Sequence, residues 1–493
     1  MMKPALKKNI LIAVLCVLAV SVLAAALLLG GSNAQNPRQA VSDDGNIPAS
    51  DTPSPAETSG TAAPSETEEV QYSPGKITRI YVYTTDRTLD TFVERYGEEH
   101  WDFDYRVLAT TDQTTLYADD VFRLVKDNLI NNTEPMDLFC VPVAYAPLFT
   151  HGELSQYVCT YEELGIDVDA LLEKMDIPQH IINAGTNRDG KLVALPVDSE
   201  VNVFMYRRSV AKEVFGTDDP DKIAEIIGGG TESWDKFLEA AKTLKEHGYY
   251  IAPGCDDLSF LVDWSCPVSE LLDVNPRINP KWEAFMDVAK SLYDEGCIKD
   301  TERWSEAWFQ DMKGKGDKFF GIVAPVSLSD FLDENNETYG DWAICLPPFQ
   351  TQAKFFTGIM VSKHAPNKDL IKPLIEWMTL DSSPNGLQYR LANGTFFESG
   401  KVNVISKAVL KANENISDFL GGQDLNPIIC EAMDRLDALH DASDPGNYVN
   451  HDYISSIFMD ETRAYVKGEK DKETAIADFL SRVRERWIES SVR

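Results

Sequence analysis

An α/β fold, preceded by a membrane segment and an unstructured linker, is what this chain of 493 residues predicts. Three observations carry the expectation. Three lysines stand before an unbroken apolar run, a stretch rich in Pro, Ser and Thr follows it, and from Lys76 onward short β-branched runs alternate with amphipathic stretches. With 43% apolar and 25% charged residues the chain has the composition of an ordinary globular protein with a substantial core. A formal net charge of -33 excludes nucleic acid as a partner, because phosphate binding needs clustered Lys and Arg. The acidity serves solubility.

The first thirty residues set the address. Lys3, Lys7 and Lys8 precede the run Ile10–Leu29, whose 20 residues hold a single polar side chain, Ser21. As a helix this run is about 30 Å long, the thickness of a bilayer's hydrocarbon core. The lysines stay in the cytoplasm, so everything downstream lies outside. Residues 1–30 are therefore either a cleaved signal peptide or an uncleaved anchor. Ser32-Asn33-Ala34 offers a small-residue cleavage site, while the length of the run favours an anchor. Cys16 follows Leu15 in mid-run, where a lipid attachment site would need a small residue. Residues 31–75 hold six prolines, seven acidic residues, one arginine and one aromatic, Tyr72. Such a segment buries too little apolar surface to offset its ordering entropy. It is expected to be a flexible tether with an end-to-end distance of roughly 35–40 Å.

The globular part begins at Lys76. Ile77–Tyr83 reads as a strand, Leu89–Tyr96 as a helix and Tyr105–Ala109 as a second strand. Residues 115–131 carry Leu116, Val121, Leu124, Val125 and Leu129 near helical spacing. Met136–Val143 is an apolar third strand. Alternation of this kind implies parallel pairing, with ligands bound beyond the carboxyl ends of the strands. That points to Thr84, Thr85 and Asp86 after the first strand and to Ala144 and Tyr145 after the third. Farther on, Ser233 is placed to cap a helix reaching Leu244, with Phe237, Leu238, Ala241 and Leu244 on one face. A last helix covers about Thr474–Trp487, its apolar stripe being core packing.

Motifs for chemistry are missing. Gly185–Lys191 has the spacing of a phosphate-binding loop, but Leu192 stands where a Ser or Thr would bind magnesium, and a strand follows instead of a helix. It reads as a hairpin turn. None of the seven histidines forms a close metal pair, and no nucleophile elbow occurs. No metal or other cofactor is expected. Of eight cysteines none lies in a CxxC pair. Apart from Cys16 they read as buried free thiols, with a disulfide such as Cys255–Cys266 open in an oxidising compartment.

The order of segments resembles a known family. Gly190-Lys-Leu-Val-Ala-Leu-Pro-Val-Asp-Ser199, followed by Val203-Phe-Met-Tyr-Arg-Arg-Ser209, is similar to the "GKxYGLPxD…YNK" stretch of extracellular solute-binding proteins, family 1. Ser233-Trp-Asp235 resembles the family's "TWDEF" helix start. Phe309–Gly316 with Phe319-Phe-Gly321 resembles its "GKAAM…G" element. Asp341–Pro348, Phe356–Ser362, Tyr465–Gly468 and Thr474–Ala477 match further elements in order. The resemblance spans about 76–493. Arg207-Arg208 replaces the usual Asn-Lys, Asp317-Lys318 replaces the usual Ala-Met, and no lipidated Cys is present.

The resemblance implies a two-lobed, periplasmic-binding-protein-like α/β fold with the solute in a cleft between lobes. Lobe 1 would hold 76–198 plus 356–400, and lobe 2 would hold 199–355 plus 401–493. It implies a monomer that catalyses nothing, captures a sugar by cleft closure and delivers it to ABC permease subunits. Two other readings stand beside this one: an anchored solute sensor feeding a kinase, and an extracellular glycoside-degrading enzyme. Sugars need flat aromatic platforms and fixed hydrogen-bonding groups. Asp198 and Ser199, at the crossing between lobes, are candidates, although Asp198 could instead cap a turn. Trp264, Trp304 and Trp308 are candidate cleft aromatics, with core packing as the alternative for each. Thr84, Asp86 and Tyr145 follow from strand-end position, and Gly358 from close backbone approach near a crossing.

Overall fold

The computed structural model describes residues 77–84, 88–110, 118–141, 145–262, 277–316, 318–331, 337–351, 358–397, 400–439 and 452–492. The expected membrane segment at 1–30 and the linker at 31–75 lie outside these. Among the described residues no helix is long and apolar enough to cross a membrane.

The first sheet is built as the alternation dictates. Strand β1 (Thr78–Tyr83) buries Ile80 and Val82 completely. It pairs in parallel with β2 (Tyr105–Ala109), Thr78 opposite Tyr105, and with β3 (Leu138–Phe139), Val82 opposite Leu138. Helix Thr88–His100 covers it through Leu89, Phe92, Val93 and Tyr96, and helix Ala118–Asn131 through Val121, Val125 and Leu129. Strand β3 is shorter than the expected Met136–Val143. Its backbone pairing extends only from Asp137 N–H, on Tyr81 O, to Cys140 N–H, on Tyr83 O. Residues 142–144 are outside the described set.

Strand β4 (Asn202–Arg207) starts a second sheet. In the second sheet β5 (Gly321–Pro325) and β6 (Trp342–Cys345) both run antiparallel to β4, in the order β5-β4-β6. The parallel rule drawn from the first segments does not carry over. Strand β4 is central and buried on both faces: Val203 and Met205 join one core, Phe204 and Tyr206 the other. Strand β7 (Met360–Val361) joins the first sheet antiparallel to β3, giving the order β2-β1-β3-β7.

The expected turn at Gly185–Lys191 is a hairpin. Asn187 N–H donates to Lys191 O at 2.8 Å, Thr186 bridges Leu192, and Gly190 holds a φ of 73° that suits a residue without Cβ. The helix expected from Ser233 begins at Asp235. Trp234 takes the capping position and Ser233 Oγ accepts from Asp235 N–H. The last helix, Lys472–Val492, is longer than expected and buries Ala475, Phe479 and Val483. The C-terminal segment divides between the two cores. Val404, Val409, Leu410, Ile429, Met433 and Leu436 enter the first, whereas Ile454, Phe458, Phe479 and Val483 enter the second. The six described cysteines, Cys140, Cys159, Cys255, Cys297, Cys345 and Cys430, are buried and form no disulfide with one another. Cys266 is outside the described residues.

Candidate functional site

Register locates the edge at which a ligand would sit. Tyr83 is opposite Phe139, and Phe139 is opposite Met360. The carboxyl ends of β1 and β3 and the amino end of β7 therefore lie at one edge of the first sheet. From that edge the chain crosses to the second sheet. Leu195 O accepts from Ile359 N–H at 2.9 Å, and seven residues later Asn202 N–H donates to Thr351 O at the start of β4. Asp198 bridges Val404 in antiparallel fashion, and Ser199 N–H donates to Asn403 O. Glu200 fastens the junction by accepting from Asn403 Nδ2 at 3.1 Å and from Ser327 N–H at 3.3 Å. The stretch 196–201 thus runs between the sheets with Thr351 and residues 403–404 hydrogen-bonded or bridged beside it.

Buried polar atoms gather here without partners. Ser199, Asn202 and Gln350 are each at least nine-tenths buried. Among the described residues Ser199 Oγ, Asn202 Oδ1 and Gln350 Oε1 make no hydrogen bond. The other amide atoms are used: Asn202 Nδ2 donates to Thr351 Oγ1 at 2.8 Å, and Gln350 Nε2 donates to Asn202 O at 3.0 Å. Lone buried acceptors are costly, so this cluster is suited to receive donors from a bound molecule or from water.

The expected site residues fall in different settings. Thr84 is buried, its N–H held by Thr110 Oγ1 at 2.9 Å and its carbonyl accepting from the same hydroxyl at 2.6 Å. Tyr145 heads helix Ala146–Thr150 and stacks on Phe122 with ring centroids 4.0 Å apart and planes 8° off parallel. Asp198 lies in extended backbone at the crossing, and Gly358 stands two residues before β7. Asp86 and Trp264 lie outside the described residues, as do Thr85 and Ala144.

Trp304 and Trp308 separate sharply. Trp308 is 0% exposed, and its indole N–H donates to Asp257 Oδ1 at 3.1 Å and Oδ2 at 3.2 Å. It presents no surface to a ligand. Trp304 is 53% exposed and holds a φ of 70°, a left-handed backbone that a bulky residue adopts only when its surroundings impose it. The surroundings are identifiable. Ser305 caps helix Glu306–Met312 by accepting from Trp308 N–H, and the Trp304 ring packs 5.0 Å from that of Trp308. The guanidinium of Arg303 lies 5.3 Å from the Trp304 ring and 4.3 Å from that of Phe260.

Arg303 and Asp257 are the charges that sequence reading missed. Arg303 Nη1 donates to Asp257 Oδ1 at 3.1 Å and to Val323 O, on β5, at 3.0 Å. Burial pushes the Asp257 carboxyl up to about 7, against the pull of the Arg303 charge and the Trp308 N–H. Burial likewise lowers Arg303, with Asp257 opposing. Phe260 ties this group to the crossing, because its carbonyl accepts from Thr351 Oγ1 at 2.5 Å. The only local signal was the Arg303-Trp304 dipeptide before a helix cap. Nothing in it distinguishes a half-buried platform from an ordinary loop.

The family departure at Arg207-Arg208 has a packing role. Arg207 donates twice to Asp341 Oδ2, at 2.9 and 2.7 Å, and lies over the Trp342 ring. Arg208 donates to the carbonyls of Trp342 and Leu420. Both side chains brace β4 against β6. Among the described residues no group of three or more His, Cys, Asp or Glu could hold a metal ion.

Comparisons with known proteins bear on the family and the fold. The model of a family described as bacterial extracellular solute-binding protein matches residues 128–383, just over half of the chain. A search of curated proteins finds no match. Among solved structures, an extracellular solute-binding protein family 1 from Alicyclobacillus acidocaldarius superposes with a TM-score of 0.58 at 11% identity, covering 84% of this chain and 99% of that one. The sugar-binding protein MalE from Xanthomonas citri gives 0.55 at 13% identity, with the same coverage of 84% and 99%. An ABC transporter associated binding protein from B. animalis subsp. lactis, in complex with beta-1,6-galactobiose, gives 0.50 at 17% identity and covers 84% and 98%.

Proposed function

Because the chain belongs to the bacterial extracellular solute-binding proteins, we propose that it captures a carbohydrate outside the cell, by closing two lobes around it, and delivers it to an ABC importer. The family binds small solutes and does no catalysis. The finer reading rests on one arrangement, an aromatic face half exposed beside a crossing that carries unpaired buried polar atoms. Trp304 supplies the flat apolar surface that a sugar's C–H face needs. Ser199 Oγ, Asn202 Oδ1 and Gln350 Oε1 supply acceptors for hydroxyl donors. Two related folds carry sugar in their descriptions, one as a sugar-binding protein and one in complex with a disaccharide.

In this reading the first sheet and its helices form lobe 1, the second sheet and its helices lobe 2, and the stretch 196–201, with Thr351 and residues 403–404 beside it, is the hinge. Thr84, Tyr145 and Gly358 stand on the lobe 1 side of the cleft, Asp198 and Ser199 at its base, and Trp304 on the lobe 2 side. Trp308 supports Trp304 from beneath. The N-terminal apolar run either anchors the protein at the outer face of the membrane or is removed on secretion.

A thermal-shift screen against mono- and oligosaccharides tests the assignment. At ligand near 100 times its Kd the folded state gains about 2.7 kcal/mol, which raises Tm measurably. If amino acids, peptides or polyamines raise Tm and no sugar does, the carbohydrate assignment fails.

A further inference from the structure

Arg303 is 9% exposed, and among the described residues Nη1 is the one side-chain nitrogen of Arg303 that is hydrogen-bonded. Its Nε–H is buried with no acceptor. A guanidinium is a planar fork of five donors, strongly hydrated unless its N–H groups are paired, so an unused donor of this kind in an aromatic setting is expensive. The plane is held between the Phe260 ring on one side and the Trp304 and Trp308 rings, at 4.3, 5.3 and 5.6 Å. The fork therefore has little freedom to turn and find another partner. Beside it stands the exposed indole of Trp304, fixed in a left-handed backbone conformation. The Arg303 guanidinium lies 5.3 Å from that ring.

We propose that Arg303 is a specificity-determining residue for the solute, its unused Nε edge donating to a pair of adjacent hydroxyl oxygens on a neutral sugar whose C–H face lies on Trp304. This rests on the carbohydrate reading above. Local charge selects a neutral pair of acceptors over a carboxylate. Arg303 is already paired with Asp257, Asp256 accepts from Arg303 N–H at 3.4 Å, and Asp256 is itself paired with Arg463 at 2.8 Å. Asp311 also acts on Asp257 and Asp460 also pairs with Arg463, so acids already outnumber bases here. A ligand carboxylate would add a further negative charge to that group, whereas a vicinal diol accepts two N–H donors and adds none.

The test uses the full chain in detergent and calorimetric titration with the sugar that gives the largest thermal shift. Arg303→Lys keeps the charge opposite Asp257 and removes the fork. It should weaken neutral-sugar binding about 10- to 100-fold. Mono-deoxy analogues of the same sugar provide a measurement that needs no stable variant. One of two adjacent deoxy positions should cost wild type about tenfold, and Arg303→Lys should lose that discrimination. The corresponding uronic acid should bind wild type no more tightly than the neutral sugar. Equal affinity of wild type and Arg303→Lys, or tighter binding of the uronic acid, overturns the role of Arg303 and leaves carbohydrate capture standing. If wild type binds no sugar, carbohydrate capture fails and the Arg303 role falls with it.

Discussion

Trp304 and Trp308 sit four residues apart on a sequence that treats them alike, yet one is half exposed and the other is sealed over a buried carboxylate. The difference comes from Asp257, 51 residues upstream of Trp308, whose oxygens hold the Trp308 indole and the Arg303 guanidinium together. Asp257 also makes a prediction for pH. Its carboxyl in the folded protein releases its proton only near 7, whereas in the unfolded chain it does so in the usual carboxylate range. Between those values unfolding releases a proton, so this group's contribution is greatest at low pH and declines as pH rises toward 7, by up to about 1.4 kcal/mol per pH unit. Urea unfolding from pH 4.5 to 7 should show a steeper decline for wild type than for Asp257→Asn. Parallel curves would mean that the buried carboxyl is ionised throughout. No local pattern flagged Asp257, because one acidic residue among 79 carries no mark of its burial.

Elements follow local rules where one face is solvated and depart from them where both are covered. The helices at Thr88–His100 and Ala118–Asn131 were legible from the spacing of Leu89, Phe92 and Val93 and of Val121, Val125 and Leu129. Strand β4, buried on both faces, shows no alternation and gave no hint that its neighbours run antiparallel. The hairpin at Gly185–Lys191 was legible from its failure as a phosphate loop. Its closure depends on Gly185 in a second way. Gly185 O accepts from Val193 N–H at 2.8 Å, and a Cβ at this residue would lie 1.9 Å from Ala194 O, a backbone atom that cannot move aside alone. Gly185→Ala should cost about 2–4 kcal/mol in urea unfolding. Gly190→Ala, at a φ of 73° with no atom within 4 Å of the added Cβ, should cost only about 1 kcal/mol. Equal losses at the two glycines would show that the close approach to Ala194 relaxes freely.

At the scale of the molecule the described chain passes between the two sheets along 196–201, stapled by Glu200, Asn202 and Asn403. Few backbone segments joining two large cores make a hinge, and a solute that touches both sides biases it toward closure. Fluorescent labels at Asp127→Cys and Glu246→Cys, exposed positions on helices beside the first and second sheets, should approach one another when the solute is added. The native cysteines that are described are buried and should take little label. Solute binding with no change of distance would exclude closure. The sequence by itself determined the class of the fold and its order of segments, because alternating patterns and turn residues act over a few neighbours along the chain. It also determined the crossing near Asp198, through motifs that lie next to it. Only the tertiary structure decided what lines the site. Burial and pairing at Arg303, Asn202 and Gln350 are set by residues tens to hundreds of positions away, and contacts of that range leave no periodic trace in a single sequence.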